Sequence, residues 1–350
     1  MTDRFNTPLM QRPATKQQNP PATLLKEAIM GFRTTQLISV AAKMNLAEYL
    51  KDGPKTTEQL AESVNAHPGS LARLLRALSD IGIFEQKDDD SFCNTPTAEL
   101  LLETAPGSLR SLAVLYGEDW LWRAYAGLSY SVETGKPAFD VVHGETLYGY
   151  LDQHPAAALV FDKAMSGYSE SEAAAVIEAY DFSGRGTVMD IGGGQGVFVS
   201  ALLKEKPLLS GIVFDLPQVI ENRPEQSGSK AGRITFVAGN FFKDVPGGAD
   251  VYFLKSVLHN WDDTSCIRIL RNCRKVMMEK TRLLVLERVI PGNQEKSESK
   301  LFDINMLVVT GGCERTANQY RQLFNDAGFN MSRILSTRSP LSIIEGIPIG

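Results

Sequence analysis

Three stretches of the chain carry residues with chemical potential, and the first is glycine-rich. In VMDIGGGQGVFVSALL an apolar run ends in Asp190, and Gly192, Gly194 and Gly196 alternate before a helical stretch. Glycines are needed where backbone turns tightly and approaches a ligand closely, and the helix that follows offers free N–H groups. Asp215 ends the next apolar run, VFDLP, nineteen residues after Gly196, where a carboxylate can accept from both hydroxyls of a ribose. A third run ends in AGNFF and sets Asn240 and Phe241 beside the expected adenine. The loop reads GxGxG, not the GxGxxG of dinucleotide sites, and leaves no pyrophosphate-length space. S-adenosylmethionine therefore fits better than a nicotinamide cofactor.

The four histidines are His67, His143, His154 and His259. His67 precedes a helix, His143 lies in a Gly-flanked loop and His154 precedes Pro155. Only His259 follows an apolar strand, ADVYFLKSV, at the carboxyl edge where open α/β sheets place ligands. An imidazole with a pKa of about 6.5 can assist removal of a phenolic proton, pKa about 10, as an electrophile is attacked. It does so best when its other nitrogen is held by a carboxylate. The adjacent acids Asp262 and Asp263 point in different directions with no third ligand near, so helix capping is expected of them, and no metal.

These residues need a parallel sheet behind them. TVMDIGG, GIVFDLP, ITFVAGN, ADVYFLKSV and RLLVLERVI read as five strands alternating with helical segments. That alternation predicts an α/β, Rossmann-like catalytic domain over 181–350, a mostly parallel sheet with helices on both faces. Residues 105–180 keep helical spacing, with aromatics concentrated in DWLWRAYAGLSY, and read as a helical linker contributing to an acceptor pocket. Across 22–104 the pattern is helical and then more punctuated. Thr56 and Gln59 suggest a capping box, Asn65 and Ala66 end that helix, and Pro68 suits the first turn of the next. Leu71, Leu74, Leu75 and Leu78 then form an apolar stripe, and IFEQ and SFCNT flank a Lys-Asp-Asp-Asp turn. Helix, turn, helix and hairpin spell a winged helix. Residues 1–21, rich in Pro, Gln, Asn and Thr without periodicity, read as a flexible tail.

A winged helix can read DNA. Here the second helix offers only Arg73 and Arg76, and a tip of Asp88, Asp89 and Asp90 would repel phosphates. With 36 Lys+Arg against 41 Asp+Glu the net charge is −5, so no nucleic-acid partner is expected and the module reads as a subunit contact. A ligand-sensing winged-helix regulator is the rival reading, and it requires salt-dependent DNA binding. At 350 residues, 43% hydrophobic and 22% charged, the chain is long and apolar enough for two cores and is not a disordered protein. Four scattered cysteines make neither a disulfide framework nor a zinc site, and no apolar run reaches the ~18 residues of a membrane span. A reduced, cytoplasmic protein with no membrane partner is expected.

Four stretches occur in order: DIGGGQG at 190–196, LKSVLHNWDD at 254–263, LERVIP at 286–291 and DINMLVVTGGCERTANQY at 303–320. With these the chain resembles the metal-independent small-molecule O-methyltransferases, the family of plant caffeic acid and animal hydroxyindole O-methyltransferases and many bacterial natural-product enzymes. The resemblance covers nearly all of the chain after the tail. It implies a homodimer interlocked through the N-terminal domain. It implies that S-adenosylmethionine, leaving as S-adenosylhomocysteine, is held by Asp190, Gly192, Gly193, Gly194, Asp215, Leu216, Asn240, Phe241 and Lys255. Asn240 stands where the family usually has an acid, and its amide oxygen can still accept from an adenine amino group. The resemblance makes His259 the base, oriented by Glu287 and Glu314. Their plain readings are a strand-end ion pair with Arg288 and a helix-start carboxylate. It implies an acceptor pocket of Trp120, Phe161, Met165, Asn305 and Met306 suited to a flat aromatic molecule. The expected reaction is methyl transfer to a phenolic hydroxyl of a small metabolite, with transfer to nitrogen or carbon on the same fold as the alternative.

Overall fold

The computed structural model describes residues 20–88, 90–221, 232–292 and 295–350, with backbone alone at 170 and 171. Most of the expected tail lies outside these residues, as does Asp89 of the expected acidic tip. The first helix, α1 (Pro21–Lys43), begins one residue inside the segment read as tail, because a proline is well tolerated in a helix's first turn. Asn45, at φ 55°, turns the chain into α2 (Leu46–Tyr49). Strand β1 (Lys55–Thr56) then leads into α3 (Thr57–Ser63), whose capping box is formed by Thr56 and Gln59 as the sequence suggests. Helix α4 (Pro68–Asp80) buries Leu71, Leu75 and Leu78. Strands β2 (Phe84–Gln86) and β3 (Ser91–Asn94) pair as an antiparallel hairpin, and β1 adds to the far edge of β3. The winged helix is thus a helix pair with a three-stranded wing around its own core.

Short helices follow: α5 (Pro96–Glu99), α6 (Arg110–Leu115), α7 (Asp119–Ala126), α8 (Leu128–Thr134), α9 (Ala138–His143) and α10 (Leu147–Gln153). The 25-residue α11 (Pro155–Ala179) carries the chain onward. The sheet then builds from β4 (Thr187–Ile191), α12 (Val197–Glu205), β5 (Ser210–Asp215), α13 (Pro217–Glu221), β6 (Ile234–Ala238) and β7 (Val251–Lys255). After α14 (Asp263–Val276) come β8 (Arg282–Glu287), β9 (Val289–Ile290), α15 (Glu298–Val309), β10 (Arg315–Thr316), α16 (Ala317–Asp326), β11 (Phe329–Ser336) and β12 (Ser342–Pro348).

The seven strands of the main sheet lie in the order β11-β12-β8-β7-β4-β5-β6. Strands β4 to β8 are parallel, and β12 runs antiparallel to both its neighbours. The order reverses beside β4, which places the crevice for a ligand at the carboxyl ends of β4 and β7. Two differences from the sequence reading matter. RLLVLERVI is two strands, broken at Arg288, and the antiparallel strands β11 and β12 were not among the five expected.

Side chains alternate across the sheet and build one core on each side. Met189, Tyr252, Leu254, Leu283, Val285 and Ile344 pack under α14 and α16. Their neighbours Val188, Val251, Phe253, Leu284, Leu286 and Ile343 pack under α11 and α12. Strands covered on both faces read as continuous apolar runs, and for that reason they were legible. Ile344→Ala should cost about 2–5 kcal/mol, as other large-to-small changes in closed cores do, whereas Leu301→Ala, at a side chain 77% exposed, should cost under about 0.5 kcal/mol. Urea denaturation of both variants checks this.

Candidate active site

The glycine loop is shaped by close approach. Gly192, Gly194 and Gly196 have φ of 73°, 57° and 76°, a region that disfavours side chains. A Cβ on Gly192 would come within 2.9 Å of Val257, and one on Gly193 within 2.9 Å of Asp190. The Gly194 N–H donates to Asp215 Oδ2 at 2.8 Å and the Leu216 N–H to Oδ1 at 2.7 Å. Burial raises the Asp215 carboxyl above its ordinary range while these two donors hold it down. Asp190 lies beneath the loop, 1% exposed, with no hydrogen-bond partner for Oδ1. Burial pushes it up to about 7, against the pull of Lys255. A cradle that any side chain would fill, next to an orphaned carboxylate oxygen, fits a ligand with a cationic group.

Phe241 packs between this loop and the rings of Phe242 and Trp261. The Asn240 side-chain oxygen accepts from the Phe242 N–H at 2.8 Å, so one of its lone pairs is already spent on its own turn. Lys255 is also committed: Nζ donates to Glu172 Oε2 on α11 at 3.2 Å, in a buried ion pair. Glu172 was invisible to sequence reading because an acid on an Ala-rich helix is normally solvated.

His259 sits on a 3₁₀ turn, Leu258–Asn260, after β7. Its Nδ1 lies 3.0 Å from Glu287 Oε2 and 3.1 Å from Glu314 Oε1, and both carboxylate side chains are 0% exposed. Glu287 Oε1 also accepts from the backbone N–H of Leu258 at 2.8 Å and of His259 at 3.3 Å. Burial alone would push the imidazole down, but the charges and hydrogen bonds of Glu287 and then Glu314 outweigh it and raise it from 6.5 to about 10. Burial likewise raises Glu314, helped by the charge of Glu287 and opposed by His259. With Nδ1 hydrogen-bonded to Glu314 Oε1 and held at ion-pair distance from Glu287 Oε2, Nε2 is the nitrogen left for chemistry.

The two acids come together through the break in RLLVLERVI. Beyond Arg288 the chain pairs as β9 with β10, Val289 opposite Arg315, and this parallel contact sets Glu314 next to Glu287. Arg315, fully buried, donates to the carbonyls of Leu258, Cys313 and Trp261 and pairs with Asp263 Oδ1 at 2.8 Å, so it holds both ends of the histidine turn. Asp262 caps α14 by accepting from the Ser265 N–H, the capping role expected of this pair of acids.

Phe302 of α15 stands beside the imidazole, ring centroids 5.9 Å apart. On the same helix the Asn305 side-chain oxygen accepts from the Tyr125 hydroxyl at 2.9 Å. Phe161 and Met165 are half-buried in the cluster that holds Trp120, and Met306 is buried on α15. The ring neighbours of Trp120 are Phe139 and Tyr150, whereas that of His259 is Phe302. The remaining histidines have structural jobs: His67 caps α4, His143 bonds the Trp120 carbonyl, and His154 stacks on Tyr150. Sequence reading did not single out Tyr125, Phe302, Glu172 or Arg315. For Arg315 the one available signal was its place directly after Glu314.

Residues 125–330 match an O-methyltransferase domain and residues 26–104 an O-methyltransferase dimerisation domain. The chain belongs to the O-methyltransferase family. A phenazine O-methyltransferase of Lysobacter antibioticus is 41% identical over 94% of this chain and 97% of its own length. An 8-amino-8-demethylriboflavin N,N-dimethyltransferase of Streptomyces davaonensis is 34% identical over 88% of this chain and 90% of its own. The crystal structure of LaPhzM superposes with a TM-score of 0.89 at 41% identity, covering 94% of this chain and 100% of that one. NcsB1 from neocarzinostatin biosynthesis, solved with S-adenosylmethionine and 2-hydroxy-5-methyl naphthoic acid, gives 0.74 at 30% identity over 90% and 96%. This protein is an S-adenosylmethionine-dependent methyltransferase, and the glycine cradle with Asp190 and Asp215 fits that cofactor.

A Cβ on Gly312 would fall 1.9 Å from the His259 carbonyl oxygen and 2.8 Å from the Asn260 Cα, and backbone atoms cannot step aside as a flexible side chain does. Gly312→Ala should therefore lower kcat at least about tenfold, the scale on which small misplacements of reacting groups act, while S-adenosylhomocysteine still binds. Turnover and cofactor titration on the same variant check both halves.

Proposed function

We propose that the enzyme methylates a phenolic hydroxyl of a small aromatic metabolite, with His259 as general base, Glu287 and Glu314 as its orienting acids, and no metal ion. The observation that carries this reading is the clamp on Nδ1: two buried carboxylates at 3.0 and 3.1 Å fix the tautomer and direct Nε2 outward. The cofactor, when bound, supplies a methyl group already made electrophilic by its sulfonium. The chain then has to hold a hydroxyl in line and take its proton. Asp215 and the glycine loop are assigned the ribose and the cofactor backbone, and Asp190 the cationic end. The positions around Asn305, Phe161, Met165 and Met306 are assigned the acceptor, with Tyr125 presenting Asn305. The phenazine and naphthoic acid in the names of similar proteins support a flat aromatic acceptor.

The ligand atoms of His259, Glu287 and Glu314 lie within 4.8 Å of one another, a spacing a cation could also use. Nδ1 lies at ion-pair distance from both carboxylates, so the imidazole occupies the place a cation would need. Transfer to nitrogen, as in the name of the flavin dimethyltransferase, is the second reading. A neutral aromatic amine attacks through its lone pair and sheds its proton afterwards, so a base raised to about 10 points to the hydroxyl.

In the free enzyme at neutral pH His259 is an imidazolium, and a productive encounter must first lose one proton, from the enzyme or from the phenol. The expected log kcat/KM therefore rises with pH between about 7 and 9 with a slope near one. Glu314→Gln removes a charge that raises His259 and should move this limb to lower pH. His259→Gln should cut kcat by about a hundredfold or more with S-adenosylhomocysteine binding retained, and EDTA should leave the rate unchanged. An undiminished rate in His259→Gln, or loss of activity to EDTA, rejects the mechanism.

We also propose that the active form is a homodimer held through α1. Leu24, Leu25, Ile29 and Phe32 are 50–64% exposed on this helix, within or just before the matched dimerisation domain, and a second chain would cover them. Sedimentation should give twice the monomer mass, and Leu25→Asp with Ile29→Asp should give a folded monomer.

A further inference from the structure

Arg288 is a buried cation with no ion-pair partner among the described residues. It occupies the break between β8 and β9 and is 6% exposed. Among the described residues its guanidinium has no carboxylate within ion-pair distance and no hydrogen-bond acceptor. Its nitrogens are nevertheless not among the fully sealed unpartnered atoms, so they keep some accessible surface. The guanidinium carbon lies 4.3 Å from the centroid of Phe302, the same ring that flanks His259. Around it stand Tyr116 and Tyr168, both partly accessible, and Glu314. Burial raises all three of these groups, and the charge of Arg288 opposes the rise in each. A guanidinium presents five donors in a planar fork, and leaving them unpaired in a buried site is costly. Such a residue persists where a ligand completes it.

On the reading of this space as the acceptor pocket, we propose that Arg288 anchors a carboxylate carried by the aromatic acceptor, so that the preferred acceptors are hydroxyaryl carboxylates. The fork takes the carboxylate through two parallel hydrogen bonds, and the ring between acid and hydroxyl lies along Phe302 with the hydroxyl toward Nε2 of His259. The acid sets the orientation, and orientation decides which hydroxyl meets the base.

The test is binding, not turnover. The enzyme loaded with S-adenosylhomocysteine is titrated with 3,4-dihydroxybenzoate and 1-hydroxy-2-naphthoate, each against its methyl ester. At least one acid should bind about tenfold or more tighter than its ester, the effect of a charge-assisted bidentate contact. In Arg288→Met that preference should vanish while ester affinity stays within about twofold. Should Arg288→Met lose S-adenosylhomocysteine binding through misfolding, Arg288→Lys reads the same quantity, since an ammonium keeps the charge but not the fork and should reduce the preference several-fold. The proposal is overturned if no acid binds tighter than its ester, or if the preference survives unchanged in the variant that folds. Failure of the methyl-transfer reading would look different: acid binding would persist with no S-adenosylhomocysteine formed from S-adenosylmethionine.

Discussion

One hydrogen-bonding position, Nδ1 of His259, is claimed by two buried carboxylates, and much of the catalytic domain exists to make that affordable. Two anions without a cation between them would not stay ionised in an interior of low dielectric. The imidazole is the cation, and it is placed from two directions. Glu287 comes from the end of a fully buried strand and also receives the N–H groups of Leu258 and His259. Glu314 arrives from a different segment, through the short β9–β10 pairing. The histidine turn is in turn gripped by Arg315 at the carbonyls of Leu258 and Trp261, and Gly312 lets a neighbouring loop lie directly on the His259 carbonyl. Each of these contacts removes one way in which the ring could rotate.

The cofactor side follows a different electrostatic plan. Asp190 is buried without a partner for one oxygen and is raised to about 7, while Lys255, the nearest positive charge, is tied to Glu172. A cationic ligand arriving beside Asp190 would restore the ionised carboxylate, so binding and ionisation reinforce each other. The histidine cluster therefore carries its own cation, whereas the site beside Asp190 lacks one. Both sit at carboxyl ends of adjacent central strands, β4 and β7, where the strand order reverses.

What the sequence made legible was whatever has a local cause. Strands β4, β5, β7 and β8 showed as apolar runs because both of their faces are covered, and the capping box at Thr56 and Gln59 showed because cap and helix are three residues apart. The glycine loop, Asp215 and His259 could be placed at strand ends from the same runs. β11 did not show, because FNMSRILS is exposed at several positions and mixes polar with apolar residues at the sheet edge. β12 was obscured by Glu345, a buried acid in the middle of SIIEGIP that pairs with Arg333 and accepts from Ser332 across the strand pair. Arg315 and Glu172 were unreadable for one reason: a charged residue advertises solvent, and its burial is decided by partners far away in the chain. Proline 21 was read as tail although a helix's first turn accepts it.

With His259 as the proposed base, the clamp also bears on how so strong a base would serve a reaction at ordinary pH. Folding around Glu287 and Glu314 favours the imidazolium, so while the two acids are ionised His259's contribution to stability is full below about pH 6.5 and is lost as pH rises through about 10. The neutral imidazole that accepts a proton is thus the form the fold supports least. When a phenol with a pKa of about 10 gives up its proton, the cluster returns to the charge state for which it is built. Donor and acceptor are then nearly matched, and the transfer costs little free energy in either direction, which is where general base assistance is most effective. On the same proposal the matching disfavours weaker acids such as alkyl alcohols, whose protons the cluster would have to take far uphill. On the proposed mechanism, selectivity for phenols is in this sense a property of two glutamates that need never touch the acceptor.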